Sequence, residues 1–221
     1  MKTDKAKLRL LYGLIGLTLL ISIAAGAYGW WINWQATQQL QTLQKQAKDG
    51  EGQSADVVPT EDKPRTDTYQ VAPDQPRLLS IPSLNVAARV RSVGVDTNNM
   101  LLSPINIYDV GWYSSSAKPG DTTGALLIDG HVSGPTQHGV FYDLKKLAVG
   151  DGITIERGDG RQFQFHVVGR EQVDADKVDM SKLLRSSDAG KLGLNLITCG
   201  GSFDYAANQY RQRVIVYAVI D

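Results

Sequence analysis

Apolar and polar positions divide the chain into three parts. From Leu10 to Trp34 an almost continuous apolar run carries no charged residue. From Lys48 to Arg77 the pattern inverts: Gly50, Gly52, Pro59, Pro64, Pro73 and Pro76 stand among many charges and few large apolar groups. From Leu78 to Asp221 short apolar runs recur between turn residues. Each part predicts a different kind of structure.

In the third part the runs have strand length and strand composition. Leu79-Ser80-Ile81-Pro82 and Val86 to Val95 read as early strands, with Pro82 confining its segment to an edge or a bend. Val110-Gly111-Trp112-Tyr113 is a short apolar run before the loop Ser114 to Gly124. Ala125-Leu126-Leu127-Ile128 has the pattern of a buried strand and ends at Asp129-Gly130-His131. Phe141 to Leu147 suits a helical turn. Ile153 to Glu156 and Phe163 to Val168 flank Gly158-Asp159-Gly160, a hairpin signal. Val173 to Gly190 reads as a long polar loop with one turn of helix. Leu194 to Gly201 and Tyr210 to Val219 then form a strand, a connection and an antiparallel strand. Many short strands between turn signals indicate an all-β barrel or sandwich over 78–221.

The first run is long enough to cross a bilayer. A helix rising about 1.5 Å per residue over Leu10 to Trp34 spans the roughly 30 Å hydrocarbon core with some tilt. Trp30, Trp31 and Trp34 gather at its far end, where amphipathic rings favour the interface. Lys2, Lys5, Lys7 and Arg9 against Asp4 make 1–9 a cytoplasmic amino terminus, which puts the rest of the chain outside. The expected location is therefore the cell membrane, single-pass, with an extracytoplasmic domain. A cleaved signal peptide ending near Ala25-Gly26-Ala27 is the competing reading, but the apolar run and its tryptophans continue past that site. Residues 35–77 follow as a Gln-rich stalk and a flexible linker, because 48–77 has too little apolar surface to offset its ordering entropy.

Composition narrows the function. The 221 residues carry a formal net charge of +0, so no basic field points to nucleic acid. A single cysteine excludes an intrachain disulfide, and three histidines without ligand spacing do not make a metal site. An unpaired thiol outside the cell calls for an explanation, and reactivity is one.

Cys199 and His131 each end an apolar strand beside glycines that open space for a ligand's backbone. Thiol chemistry on an amide needs an activated nucleophile, a proton donor that later serves as base, and a group that steadies oxyanion charge. Cys199, His131 and an arginine, Arg211 or Arg213, supply those types. The two arginines are two apart, so strand alternation places them on one face, and guanidinium groups near a thiol favour its ionisation. Asp129 shares a face with His131, where a carboxylate stabilises imidazolium. His138 belongs to the surface and His166 to the strand framework. Asp174, Asp176 and Asp179 have the oxygen chemistry of a cation site but read as a solvated loop.

These residues carry a family resemblance. Leu196-Ile197-Thr198-Cys199 resembles the signature strand of sortases, the cysteine transpeptidases of bacterial cell surfaces, Gly130-His131 matches their histidine, and Arg213-Val214-Ile215-Val216 is similar to their arginine strand. Ile197-Thr198-Cys199-Gly200-Gly201-Ser202-Phe203-Asp204, Tyr210-Arg211, Val216-Tyr217-Ala218, Val110-Gly111-Trp112-Tyr113 and Ala117-Lys118-Pro119-Gly120 are most similar to class F. The resemblance implies an eight-stranded β-barrel with short helices in its loops and no cofactor. It implies Cys199 as acylated nucleophile, His131 as general acid and then base, Arg213 or Arg211 at the thioacyl oxygen, and Thr198, Gly130 and Gly200 beside the substrate. The partners implied are surface proteins with a carboxy-terminal LPXTG-like sorting signal and a cell-wall precursor amine. Asn195 and Asp129 depart from the common Thr and Ala of the family. Two other classes remain open: an anchored surface β-domain with a merely buried cysteine, and a cysteine peptidase that hydrolyses.

Overall fold

The structure, a computed structural model, describes residues 28, 30–31, 52–53, 58–97, 100–207 and 209–221. The expected cytoplasmic terminus and stalk lie outside the described residues. So does the expected membrane helix apart from Tyr28, Trp30 and Trp31, which are helical and exposed. No helix among the described residues is long and apolar enough to cross a membrane.

Among the described residues ten strands follow one another: β1 (Gly52–Gln53), β2 (Pro76–Ile81), β3 (Val86–Val93), β4 (Ser103–Pro104), β5 (Val110–Tyr113), β6 (Ala125–Gly130), β7 (Gly152–Arg157), β8 (Gln162–Asp174), β9 (Gly193–Asp204) and β10 (Gln209–Ile220). Eight close into a barrel in the order β10-β8-β7-β2-β3-β5-β6-β9, and β1 pairs with β4 outside it. The expected eight-stranded barrel is therefore present. Pro82 makes the expected bend, opening a short 3-10 turn from Pro82 to Leu84 between β2 and β3. Gly160, at φ +85, closes the β7–β8 hairpin in a conformation that suits glycine. Leu144–Lys146 forms a 3-10 turn where a helical turn was expected. One segment differs: β8 runs on to Asp174, six residues beyond its apolar part, because β10 pairs with it from Gln212↔Asp174 to Ile220↔Phe165.

Strand alternation sorts the side chains into two layers. Leu126 and Ile128 of β6, Leu194 and Leu196 of β9, and Val214, Val216 and Ala218 of β10 fill the barrel with Trp112, Phe141 and Phe165. The indole of Trp112 donates to the Ala117 carbonyl at 3.0 Å, as a buried N–H requires. Leu127, Ile197, Ile215 and Tyr217, on the opposite faces of the same strands, form an outer cluster. Val178, Met180, Leu183 and Leu184 of the β8–β9 connection cover it, including a one-turn helix from Met180 to Leu183. Asp179 caps that helix by accepting from Ser181 N, and Asp174 pairs with Lys177, so two of the three loop carboxylates have local tasks.

Residues 58–77, the described part of the expected linker, lie against the barrel. Tyr69 Oη donates to the Val90 carbonyl at 2.7 Å, and Arg77 pairs with Glu156 at 2.6 Å. Thr60 bridges to Asn106. Low hydrophobicity did not leave this segment free, because its polar groups find fixed partners on the barrel surface.

Candidate active site

Strand register places the chemistry on the outside of the barrel. β6 and β9 are parallel, with Leu127 opposite Asn195 and Asp129 opposite Ile197. The same offset, carried two residues on, sets His131 beside Cys199. A hydrogen bond from Thr198 Oγ1 to the Gly130 carbonyl, 2.7 Å long, locks that offset between them. On the other side of β9, Arg213 is the direct cross-strand partner of Cys199. The register thus places His131, just past the end of β6, and Arg213, on β10, at positions flanking Cys199.

Glycine at 111 makes room for the next layer. Asp129 lies opposite Gly111, where a Cβ would come within 3.2 Å of the Pro104 ring. With no side chain there, β4 lies close over β5 and β6. Ser103 Oγ then donates to Asp129 Oδ2 at 2.6 Å, and the Pro104 carbonyl takes the Nε2–H of His131 at 2.6 Å. Because a carbonyl only accepts, Nε2 carries the proton, and in the neutral ring Nδ1 is the basic nitrogen.

The two arginines separate. Arg213 Nη1 donates to the carbonyls of Tyr210 and Gln212, both at 2.9 Å, which fixes the guanidinium beside Cys199. Pairing shifts between Tyr210 and Gln212, where β9 carries an extra residue around Gly201 at φ +72. Beyond that bulge Arg211 is exposed and its guanidinium pairs with Asp204 at 3.1 Å. Arg213 is the arginine at the thiol.

Electrostatics correct one expectation. Arg213 does pull the Cys199 thiol toward ionisation, but burial dominates and the Asp129 charge adds to it, so its pKa lies above the ordinary value. Burial likewise raises the Asp129 carboxyl, against the Ser103 hydrogen bond and the charges of His131 and Arg213. An acid with a raised folded-state pKa stabilises the fold fully below its unfolded value and loses that contribution as pH rises through the folded one. Asp129→Asn is therefore expected to flatten the stability profile above the ordinary carboxylate range. It should also move the alkylation profile of Cys199 by iodoacetamide to lower pH. An unmoved or upward-shifted profile contradicts this electrostatic account.

The three expected substrate-side residues have framework contacts. The Thr198 side chain is buried and spent on the Gly130 carbonyl. A Cβ at Gly130 would sit 2.6 Å from Phe141, and one at Gly200 2.9 Å from Val214, so both glycines serve close packing. Asn195, on the Cys199 face of β9, donates to the Leu183 and Arg185 carbonyls at 2.7 and 3.0 Å and ties down the covering loop. His138 is exposed and stacks on Tyr142, while His166 meets Asp221 at 2.7 Å on β8. Sequence reading missed Ser103, Tyr210 and the Pro104 carbonyl, whose parts depend on contacts across the fold. Tyr210 Oη lies 2.8 Å from Ser133 Oγ, two residues past His131.

Comparison with known proteins bears on the family and the fold. The family description "Sortase domain" matches residues 79–221. Among solved structures, the chain is similar to sortase A from Corynebacterium diphtheriae at 25% identity and TM-score 0.49, covering 66% of this chain and 60% of that one. It is similar to sortase C1 from Streptococcus agalactiae at 24% identity and TM-score 0.50, covering 68% of each chain. With sortase C-3 from Streptococcus pneumoniae the values are 21% and 0.50, over 85% of this chain and 81% of that one. No curated protein matches the chain.

Proposed function

The chain belongs to the sortase family, and from that premise we propose that it is a membrane-anchored transpeptidase of LPXTG-like sorting signals, with Cys199, His131 and Arg213 as its catalytic residues. The observation that carries the assignment is the register: parallel β6–β9 and antiparallel β9–β10 put His131 and Arg213 on either side of the only cysteine.

The Cys199 thiol gives up its proton to His131 and attacks the scissile carbonyl of the sorting signal. Negative charge gathers on the carbonyl oxygen, and the guanidinium of Arg213, braced through Nη1 on the backbone, supplies positive charge and further N–H donors to steady it. Collapse breaks the peptide C–N bond, and His131 returns the proton to the departing amine. The resulting thioester is attacked by the amine of a cell-wall precursor, whose proton passes to His131 as the thiolate leaves. Thioesters transfer acyl groups to amines readily, which favours transpeptidation over hydrolysis. The class F strings, the apolar run 10–34 with its basic amino terminus, and the interfacial tryptophans support the finer reading of class and membrane location.

Incubation with an LPXTG-type peptide, with and without hydroxylamine, tests transfer. The expected product is the acyl hydroxamate, formed faster than the free acid. Free acid alone, at a rate indifferent to the amine, would make the protein a hydrolase.

Separate lysine exchanges test the arginine. Arg213→Lys should lower the rate about 100-fold, since an ammonium does not reproduce the backbone-braced fork. Arg211→Lys should leave it within about threefold, as expected of an exposed ion pair. The reverse ranking would move the oxyanion role to Arg211.

A further inference from the structure

The segment before the barrel is stitched to both elements that fix the His131 ring. Thr60 N donates to the Ile105 carbonyl at 2.8 Å, and Ile107 N donates to the Thr60 carbonyl at 3.0 Å. These bonds hold the chain next to Pro104, whose carbonyl binds His131. The following residue, Glu61, reaches the loop on the other side of the histidine. Its Oε1 accepts from Thr136 N at 2.9 Å and Gln137 N at 3.0 Å, and its Oε2 accepts from the Thr136 hydroxyl.

That loop is shaped to receive the carboxylate. A Cβ at Gly134 would lie 2.5 Å from Glu61 Oε1, so glycine there leaves the space the oxygen occupies. Gly134 N donates to the Gln137 carbonyl at 2.8 Å, which turns the Thr136 and Gln137 N–H groups toward one point. The hydrogen bonds hold the Glu61 carboxyl below its ordinary pKa. The loop returns directly to the histidine, with Phe141 N donating to the His131 carbonyl at 2.9 Å. On its opposite side, Ser133 meets Tyr210.

We propose that Glu61 is a positioning residue for His131, its carboxylate clasping the Gly134–Gln137 turn so that the segment ahead of the barrel completes the active site. The proposal rests on the reading of His131 as proton shuttle. Glu61 lies ahead of residues 79–221, the stretch the family description matches. Its consequence is that the path of the chain entering the barrel sets the freedom of the imidazole.

The test measures steady-state transfer from an LPXTG-type peptide to hydroxylamine with the full chain. Glu61→Ala is expected to lower kcat about tenfold with KM within about twofold, because loss of alignment acts on the proton transfers and not on peptide capture. Glu61→Gln, which keeps an acceptor for the two N–H groups, should recover most of that loss. Arg65→Ala, in the same segment and paired with exposed Asp67, should leave both constants unchanged. If Glu61→Ala does not accumulate as folded protein, Thr136→Val removes one donor of the clasp and should lower kcat about threefold. Unchanged kcat in Glu61→Ala, or in Thr136→Val where that variant stands in, overturns the proposal. So does a fall in kcat that disappears once the rate is divided by the folded fraction of the variant. A wild-type chain that transfers nothing overturns the reading of the site itself.

Discussion

Cys199→Ala leaves a folded barrel that no longer turns over a sorting peptide. The side chain is only partly enclosed and lies outside both apolar clusters, so its loss removes little packing. The backbone ladder from Thr198↔Val214 to Arg213↔Cys199 does not depend on the sulfur. Activity does depend on it, because no other group of the site forms the acyl intermediate. Removing a covalent nucleophile costs about 10⁵-fold or more when its neighbours act only through it. Product chromatography beside a thermal melt checks both halves. Turnover retained in the folded variant would remove the thioester from the mechanism.

His131→Ala should be nearly as damaging, at about 10²- to 10⁴-fold in kcat, the range for a positioned acid and base. Both half-reactions pass a proton through this ring. With Nε2 held by the Pro104 carbonyl, Nδ1 must do the exchange, so the ring has one working nitrogen and a fixed orientation. The fold should persist, since the loop keeps its backbone bonds from Gly139 N to the Val132 carbonyl and from Phe141 N to the His131 carbonyl. A loss of less than about tenfold would assign proton transfer elsewhere. In that event the half-buried Asp129 carboxyl, raised toward its neutral form, is the group left to carry the proton.

How much of this was legible depends on whether a feature is local. Leu126 to Ile128 and Leu194 to Thr198 announce two strands by themselves, and the histidine and cysteine at their ends follow. The Gly158-Asp159-Gly160 turn fixes the β7–β8 hairpin from a few adjacent residues. The barrel's count of strands came from the family resemblance, since short apolar runs alone suit a sandwich as well. β4 was invisible because two residues ending in proline carry no strand signal. Its place depends on distant contacts, among them its pairing with β1 and the close approach of Pro104 to Gly111 of β5. The choice between Arg211 and Arg213 was equally out of reach, because an extra residue in β9 decides it by shifting the pairing beyond Gln212.

The same distinction explains the error about the thiol. Its positive neighbour was readable from strand spacing, but burial and the Asp129 charge come from three strands and a covering segment. Ser103 is 26 residues from Asp129, Glu61 is 75 from Thr136 and Tyr210 is 77 from Ser133. No local pattern joins such pairs. The residues that do the chemistry have types that advertise it, whereas those that hold them are ordinary until the fold brings them together.

Mass spectrometry of the protein quenched during turnover of an LPXTG-type peptide tests the central claim most directly. The account predicts a mass increase equal to the acyl part of the peptide, located on Cys199 and discharged by hydroxylamine. An adduct on any other residue, or steady product formation with Cys199 never acylated, would contradict it.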